Sequence, residues 1–113
     1  MRFMMFVATD PEPDAAKDPP TNINIETWFA DVNGRGKWID GDRLRPPAEA
    51  KTVRVRSGEV QVTEQPLTQS SAAIVGFDIL ECESLDEATE IASKHPMARS
   101  GRLELRGFWP IGS

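Results

Sequence analysis

Cysteine and histidine each occur once in these 113 residues, and both scarcities exclude chemistry. Cys82 has no partner for an internal disulfide, and one thiol with one imidazole makes neither a C-x-x-C pair nor the His/Cys set that holds structural zinc. Such usage fits a reducing cytoplasm. Long apolar runs are missing too, since none approaches the roughly 20 residues needed to cross a bilayer. The opening Met1 to Ala8 is apolar, but Arg2 is the only base before Lys17, and Asp10, Glu12 and Asp14 follow at once, so it reads as a strand rather than a leader. Positive charge is not in excess: the net charge of -5 argues against nucleic acid as the main partner, because phosphate binding needs concentrated cations. Gly34-Arg35-Gly36-Lys37 lacks the strand-before-helix setting of a phosphate loop and reads as a turn. One histidine at a helix end does not assemble into a Ser/His/Asp set, and no motif indicates a flavin, haem or nicotinamide. Neither a metal site nor a cofactor is expected.

What is present is enough for one domain spanning residues 1–113, able to bury a core without staples. Arg2 to Thr9 reads as a buried strand closed by Asp10-Pro11. Residues 10 to 21 are acidic and Pro-rich, with no apolar face, and are expected to form an irregular, mobile loop. Ile25, Trp28, Phe29 and Val32 recur at helical spacing, with Asn22 or Asn24 as the N-cap and Asn33-Gly34 as the left-handed stop. Trp28 at that spacing reads as core. Trp38, Ile39 and Leu44 form a short strand about an Asp40-Gly41-Asp42 turn. Val53 and Val55, then Val60 and Val62, alternate with polar residues across Ser57-Gly58, which predicts a hairpin with one buried face and cross-strand partners among Arg54, Arg56, Glu59 and Gln61. Residues 73 to 82 are apolar enough for a central strand. Ser84 and Glu87 form a capping box opening a helix whose core face is Leu85, Ala88, Ile91 and Ala92, ended by Pro96. Leu103 and Leu105 alternate in a last strand before an apolar tail.

The order β, α, β, hairpin, β, α, β describes an α+β fold: a ferredoxin-like βαββαβ sandwich with an added β-hairpin. Two helices cover one face of its sheet. The central strand is apolar on both sides, so the second face needs a cover as well.

Residues 59 to 88 carry a resemblance. Val62, Thr63, Glu64, Gln65, Pro66 and Leu67 stand where the YCII-related or DGPF family has V-T-D-G-P-F, and the opening strand, the W-I-D-G-D-R-L-R-P-P segment and the closing L-E-L-R-G-F-W-P are similar to other family blocks. The resemblance covers essentially the whole chain. It implies pairing of two sheets as a dimeric α/β barrel, hence a homodimer, and supports the expectation of a pocket between the sheet, the helices and the residue 63 to 72 loop for a small organic acid, with cofactor-independent, lyase-like acid/base chemistry. It also implies an alternative, a non-catalytic regulatory or interaction protein linked to sigma factors, so whether the chain is an enzyme stays open. The signature departs here: Asp becomes Glu64, Gly becomes Gln65 and Phe becomes Leu67, with Gln69, Ser70 and Ser71 replacing the charged residues that usually follow.

Candidate catalytic residues are Glu64, which keeps a carboxylate on a longer arm, and His95, whose other reading is a histidinium capping the helix end. The histidine that such enzymes use early in the first helix falls near Asn24, which cannot shuttle a proton. Arg43, Arg54 and Arg56, from a basic stretch between residues 35 and 56, are the candidate anion ligands. Trp28, Trp38 and Phe77 are the candidate walls. The bland reading of the same basic stretch is a solvated face paired with acidic neighbours. Cys82, between Glu81 and Glu83, is no nucleophile, since their charge opposes the thiolate.

Overall fold

A computed structural model describes residues 1–12, 24–68 and 71–112. The loop expected to be mobile lies mostly outside them. The sheet has four strands: β1 (Arg2–Thr9), β2 (Trp38–Arg43), β5 (Ile74–Glu81) and β6 (Gly101–Gly107) in the order β2-β5-β1-β6. Each neighbouring pair is antiparallel. Helices α1 (Ile25–Gly34) and α2 (Leu85–Ser93) intervene, with a short α3 (Met97–Ser100) before β6, and β3 (Thr52–Arg56) with β4 (Glu59–Thr63) forms a separate two-stranded hairpin. The architecture is α+β and consistent with a ferredoxin-like fold carrying an added hairpin.

Alternation along β1 sorts the two faces of the sheet. Phe3, Met5 and Val7 are buried beneath the helices, where they meet Leu80, Cys82, Trp28, Val32, Ala88, Ile91 and Ala92 in one core. Leu103 and Leu105 of β6 stand opposite Val7 and Met5 and pack against that core. The intervening Met4, Phe6 and Ala8 point the other way, opposite Ile79, Phe77 and Ile74 of β5. No helix among the described residues covers that second face.

Both long helices start at side-chain caps. Asn24 Oδ1 accepts the Thr27 N–H at 2.8 Å, and Ser84 Oγ accepts the Glu87 N–H at 3.1 Å, each quieting a donor that the first turn leaves without a partner. The reciprocal half of the box lands one residue early: Glu87 Oε1 accepts from the Glu83 N–H at 3.1 Å and pairs with Lys37 at 3.0 Å. After α1 the left-handed residue is Gly36, φ 69°, rather than Asn33 or Gly34. Leu85, expected in the core, is exposed.

Two expectations about strands need correction. Asp40-Gly41-Asp42 is not a turn but the middle of β2, with a bulge between Trp38 and Asp40. Tertiary packing overrides the local turn signal here, because a Cβ at Gly41 would lie 2.6 Å from the Phe77 carbonyl oxygen, and glycine alone lets β2 close on β5. The hairpin is where the sequence places it. Ser57 (φ 52°) and Gly58 (φ 77°) supply the left-handed pair that suits strand twist, and the Arg54 side chain donates to Gln61 Oε1 at 2.7 Å across the strands. Its valine face, however, is not buried. Val53 pairs with Val62 and Val55 with Val60, and all four remain 53–68% exposed. Alternation decides which side chains share a face; it does not decide whether anything covers them.

Candidate functional site

The two sides of the sheet offer different settings. Under the helices, β5 places Asp78 on the same face as Leu80, opposite Met5 on β1 and Gly41 on β2. Trp38 Nε1 donates to Asp78 Oδ1 at 2.9 Å, and Phe29 of α1 stands edge-on to the Trp38 ring with centroids 4.8 Å apart. A Cβ at Gly41 would sit 2.5 Å from the same carboxylate oxygen. Burial pushes the Asp78 carboxyl up to about 6, and the Trp38 donor pulls the other way. The result is a half-buried acid that changes charge close to neutrality.

Farther along the same side, Trp28 is buried to 3% exposure and its indole N–H donates to the Ile91 carbonyl at 2.9 Å. His95 lies against it, ring centroids 4.7 Å apart. It is 6% exposed, its Nδ1 accepts the Met97 N–H at 2.9 Å, and burial pushes the imidazole down to about 4. A charged cap is therefore replaced by a neutral core residue that anchors the start of α3. Cys82 is also buried, and desolvation raises its thiol further from ionisation.

The open side holds a cavity of about 650 Å³, within the range of small-molecule sites. Phe6 and Ile74 of the sheet form its floor. Its walls come from the stretch Leu44 to Val53, which includes one turn of 3-10 helix at Pro47–Glu49, and from Pro66 to Thr68. Two cations lie in the wall: Arg45, 2.9 Å from Glu49, and Lys51, 4.0 Å from Glu64. A smaller hollow of about 220 Å³ adjoins it along β6 and shares Phe6 and Ile74, with Arg102 in its lining.

The residues singled out from the sequence do not converge. Glu64 is exposed at the end of β4 and reaches the cavity only through Lys51, whereas His95 is packed beneath the helices. Trp28 and Trp38 belong to the helix side and Phe77 to the open side, so the sheet separates them. Arg54 pairs with Gln61 on the outer face of the hairpin, and Arg56 Nη1 donates to the Val55 carbonyl at 2.8 Å. Arg43 is exposed at the end of β2. Much of the basic stretch is paired, with Arg35 to Asp31, Lys37 to Glu87 and Arg45 to Glu49. Asn24, at the position where the lyase histidine would fall, is occupied in capping.

Three relevant side chains escaped the sequence reading. Arg45 and Lys51 sit in the basic stretch, where composition alone does not rank one cation above another. Asp78 had a signal: it is the one acid inside the apolar run of residues 73 to 80, and it shares parity with Leu80. No helix among the described residues is long and apolar enough to cross a membrane.

Comparison with known proteins agrees with the fold. Over 50 residues the chain is 38% identical to an uncharacterised protein of Rhizobium meliloti (strain 1021), a match covering 44% of this chain and 40% of that protein. The model of the YCII-related domain matches residues 1–111. The chain, matched by that model over nearly its whole length, belongs to the YCII-related domain family.

Proposed function

We propose that the protein works as a homodimer, two open sheet faces packed together as in a dimeric α/β barrel, and that it binds a small organic acid in the cavity on that side. The observation carrying this reading is the open face itself. Its centre is apolar, with Met4, Phe6, Phe77 and Ile79 in register. One border is acidic, Asp40 and Asp42 standing opposite Ile79 and Phe77. The other border carries Arg102 and Arg106, with Glu104 between them, opposite Ala8, Met4 and Phe6; Arg102 lies 3.3 Å from Asp10 and Arg106 3.7 Å from Glu104. A two-fold axis running along the strands lays β2 of one copy over β6 of its partner, so Asp40 and Asp42 of each copy meet arginines that they compete for with Asp10 and Glu104. Edge-to-edge pairing through β2 is discouraged, because Asp40 Oδ1 takes the Gly41 N–H at 2.8 Å and Asp42 Oδ1 takes the Arg43 N–H at 2.9 Å.

The cavity's chemistry suits an anion with an apolar body. Arg45 and Lys51 supply charge, and the prolines, Leu44, Phe6 and Ile74 supply the wall. Carboxylates already partner both cations, so an acid binds by displacing Glu49 or Glu64. Acid/base chemistry has a different best candidate from those named in the sequence: among the described residues Asp78 is the carboxyl pushed up to about 6, and it faces away from this cavity. Binding is therefore the primary reading.

A panel of small carboxylic acids, screened by thermal shift, tests it. One or more acids should raise the melting temperature of the wild type, and Arg45→Ala with Lys51→Ala should abolish the effect. Stabilisation that survives the double substitution, or a panel with no effect, contradicts the binding reading. The alternative of a regulatory interaction protein would show instead as loss of a protein contact on charge reversal at Arg54 and Arg56.

A further inference from the structure

The hairpin β3–β4 stands apart from the four-stranded sheet. Its strands pack chiefly on each other, with Thr52 Oγ1 donating to the Gln65 carbonyl at 2.7 Å at its base. A lone two-stranded ribbon is marginal in water, and this one shows solvent a stripe of four valines. The stripe is not isolated. Val53, its first member, also lines the cavity, so the valine face continues the apolar wall outward from the mouth.

We propose that the hairpin is a lid supplied in trans: the valine face of one copy closes over the cavity mouth of its partner, so that each site is completed by the other chain. This rests on the homodimer proposed above and goes beyond it by naming the element that seals the site. Geometry and area both favour a second copy as the occupant. An axis along the strands keeps the cavity ends of the two sheets together, which brings each hairpin to the partner's mouth. Four strands about 4.8 Å apart and about seven residues long make a flat face of roughly 450 Å². A standard interface buries about 800 Å² on each partner. The sheet alone falls short by roughly 350 Å², and on the same spacing the hairpin's two five-residue strands add roughly 160 Å², a little under half of it.

The test compares three proteins by sedimentation across a concentration series: the wild type, Val55→Asp with Val60→Asp, and Arg54→Glu on the opposite face of the hairpin as a control. Because the hairpin packs so little on the body, the near-ultraviolet dichroism of Trp28 and Trp38 should be unchanged in all three. The lid account expects the paired aspartates to weaken dimerisation by at least about tenfold and Arg54→Glu to leave it near the wild-type value. A dimeric wild type whose dissociation constant is unmoved by the paired aspartates overturns the lid and leaves the dimer standing. Equal weakening by Arg54→Glu also overturns it, since the outer face would then be the contact. A wild type that stays monomeric throughout removes the dimer and the lid together.

Discussion

The two faces of the central sheet are built from the same strands, alternate residues of β1 and β5 going to each, yet they end in different conditions. On the helix side Phe3, Met5 and Leu80 meet Trp28, Val32 and Ile91, and the buried polar atoms there find partners: the Trp28 indole on the Ile91 carbonyl, His95 Nδ1 on the Met97 amide. On the open side Phe6, Phe77 and Ile79 have no second layer among the described residues, and the hairpin beyond them exposes its valines. The described residues complete one core and leave the second face of the sheet without a covering layer. Burial per strand residue is thus set by what packs above, which is why two halves of one alternating pattern carry unequal energies.

That inequality is open to direct test. The largest effect belongs to Trp28→Ala, which removes a buried aromatic and the hydrogen bond to Ile91 and should cost about 3–5 kcal/mol in urea denaturation. A cost near that of a surface substitution would mean the helix-side core is not the seat of stability.

Gly41→Ala comes next, at about 1–3 kcal/mol, because a methyl there meets the Phe77 carbonyl and the Asp78 carboxylate and forces β2 away from β5. The same denaturation measurement checks it, and a Gly41→Ala variant as stable as the wild type would show that the two strands are not held at glycine distance.

The titrating pair gives a smaller effect with a definite sign. Asp78 moves from 3.8 in the unfolded chain to about 6 in the fold, so the folded state holds its proton more tightly and stability falls as pH rises through that window. His95 moves from 6.5 to about 4; the unfolded chain binds that proton more tightly, and stability falls as pH drops through its window. The slopes oppose each other between about pH 4 and 6, and the net contribution of this pair to wild-type stability should be nearly level there. Asp78→Asn removes one of them. It should raise stability at neutral pH by about 1–2 kcal/mol, allowing for partial screening by solvent, and lose that gain as the pH is lowered. Denaturant midpoints across a pH series read this directly, and a variant as level as the wild type contradicts it.

The smallest effect is the complement of the first. Val55→Ala on the hairpin should change monomer stability by less than about 0.5 kcal/mol, since in the single chain that side chain is more than half exposed. A large loss, measured where sedimentation shows a single-chain mass, would mean the hairpin is packed within its own chain.

How far the sequence anticipates this structure depends on whether the determining interaction is local. Asn24 and Ser84 announce helix starts because the cap bond spans three residues, and Ser57-Gly58 announces its turn because φ is a property of the two residues themselves. The strand assignments of β1, β5 and β6 follow from apolar runs and alternation. Asp40-Gly41-Asp42 misleads, since the glycine answers to β5, a strand far along the chain, rather than to a turn. His95 reads as a charged cap from its helix-end position, and only the fold brings Trp28 onto it. Asp78 is hidden in plain view: its parity with Leu80 assigns it to the helix side, but the Trp38 donor and the missing Cβ of Gly41 come from another strand. Of the candidate site, the acidic and basic residue types were legible, while their grouping was not, because the sheet that separates Trp38 from Phe77 is itself a product of long-range pairing.

Sedimentation equilibrium of the wild type bears most directly on the difference between the faces. If the open face is half of a subunit interface, the particle mass should be twice the 12.5 kDa of the chain at micromolar concentration and fall toward one chain mass on dilution. A mass of one chain at every concentration would contradict the account and leave the open face without an occupant of its own kind.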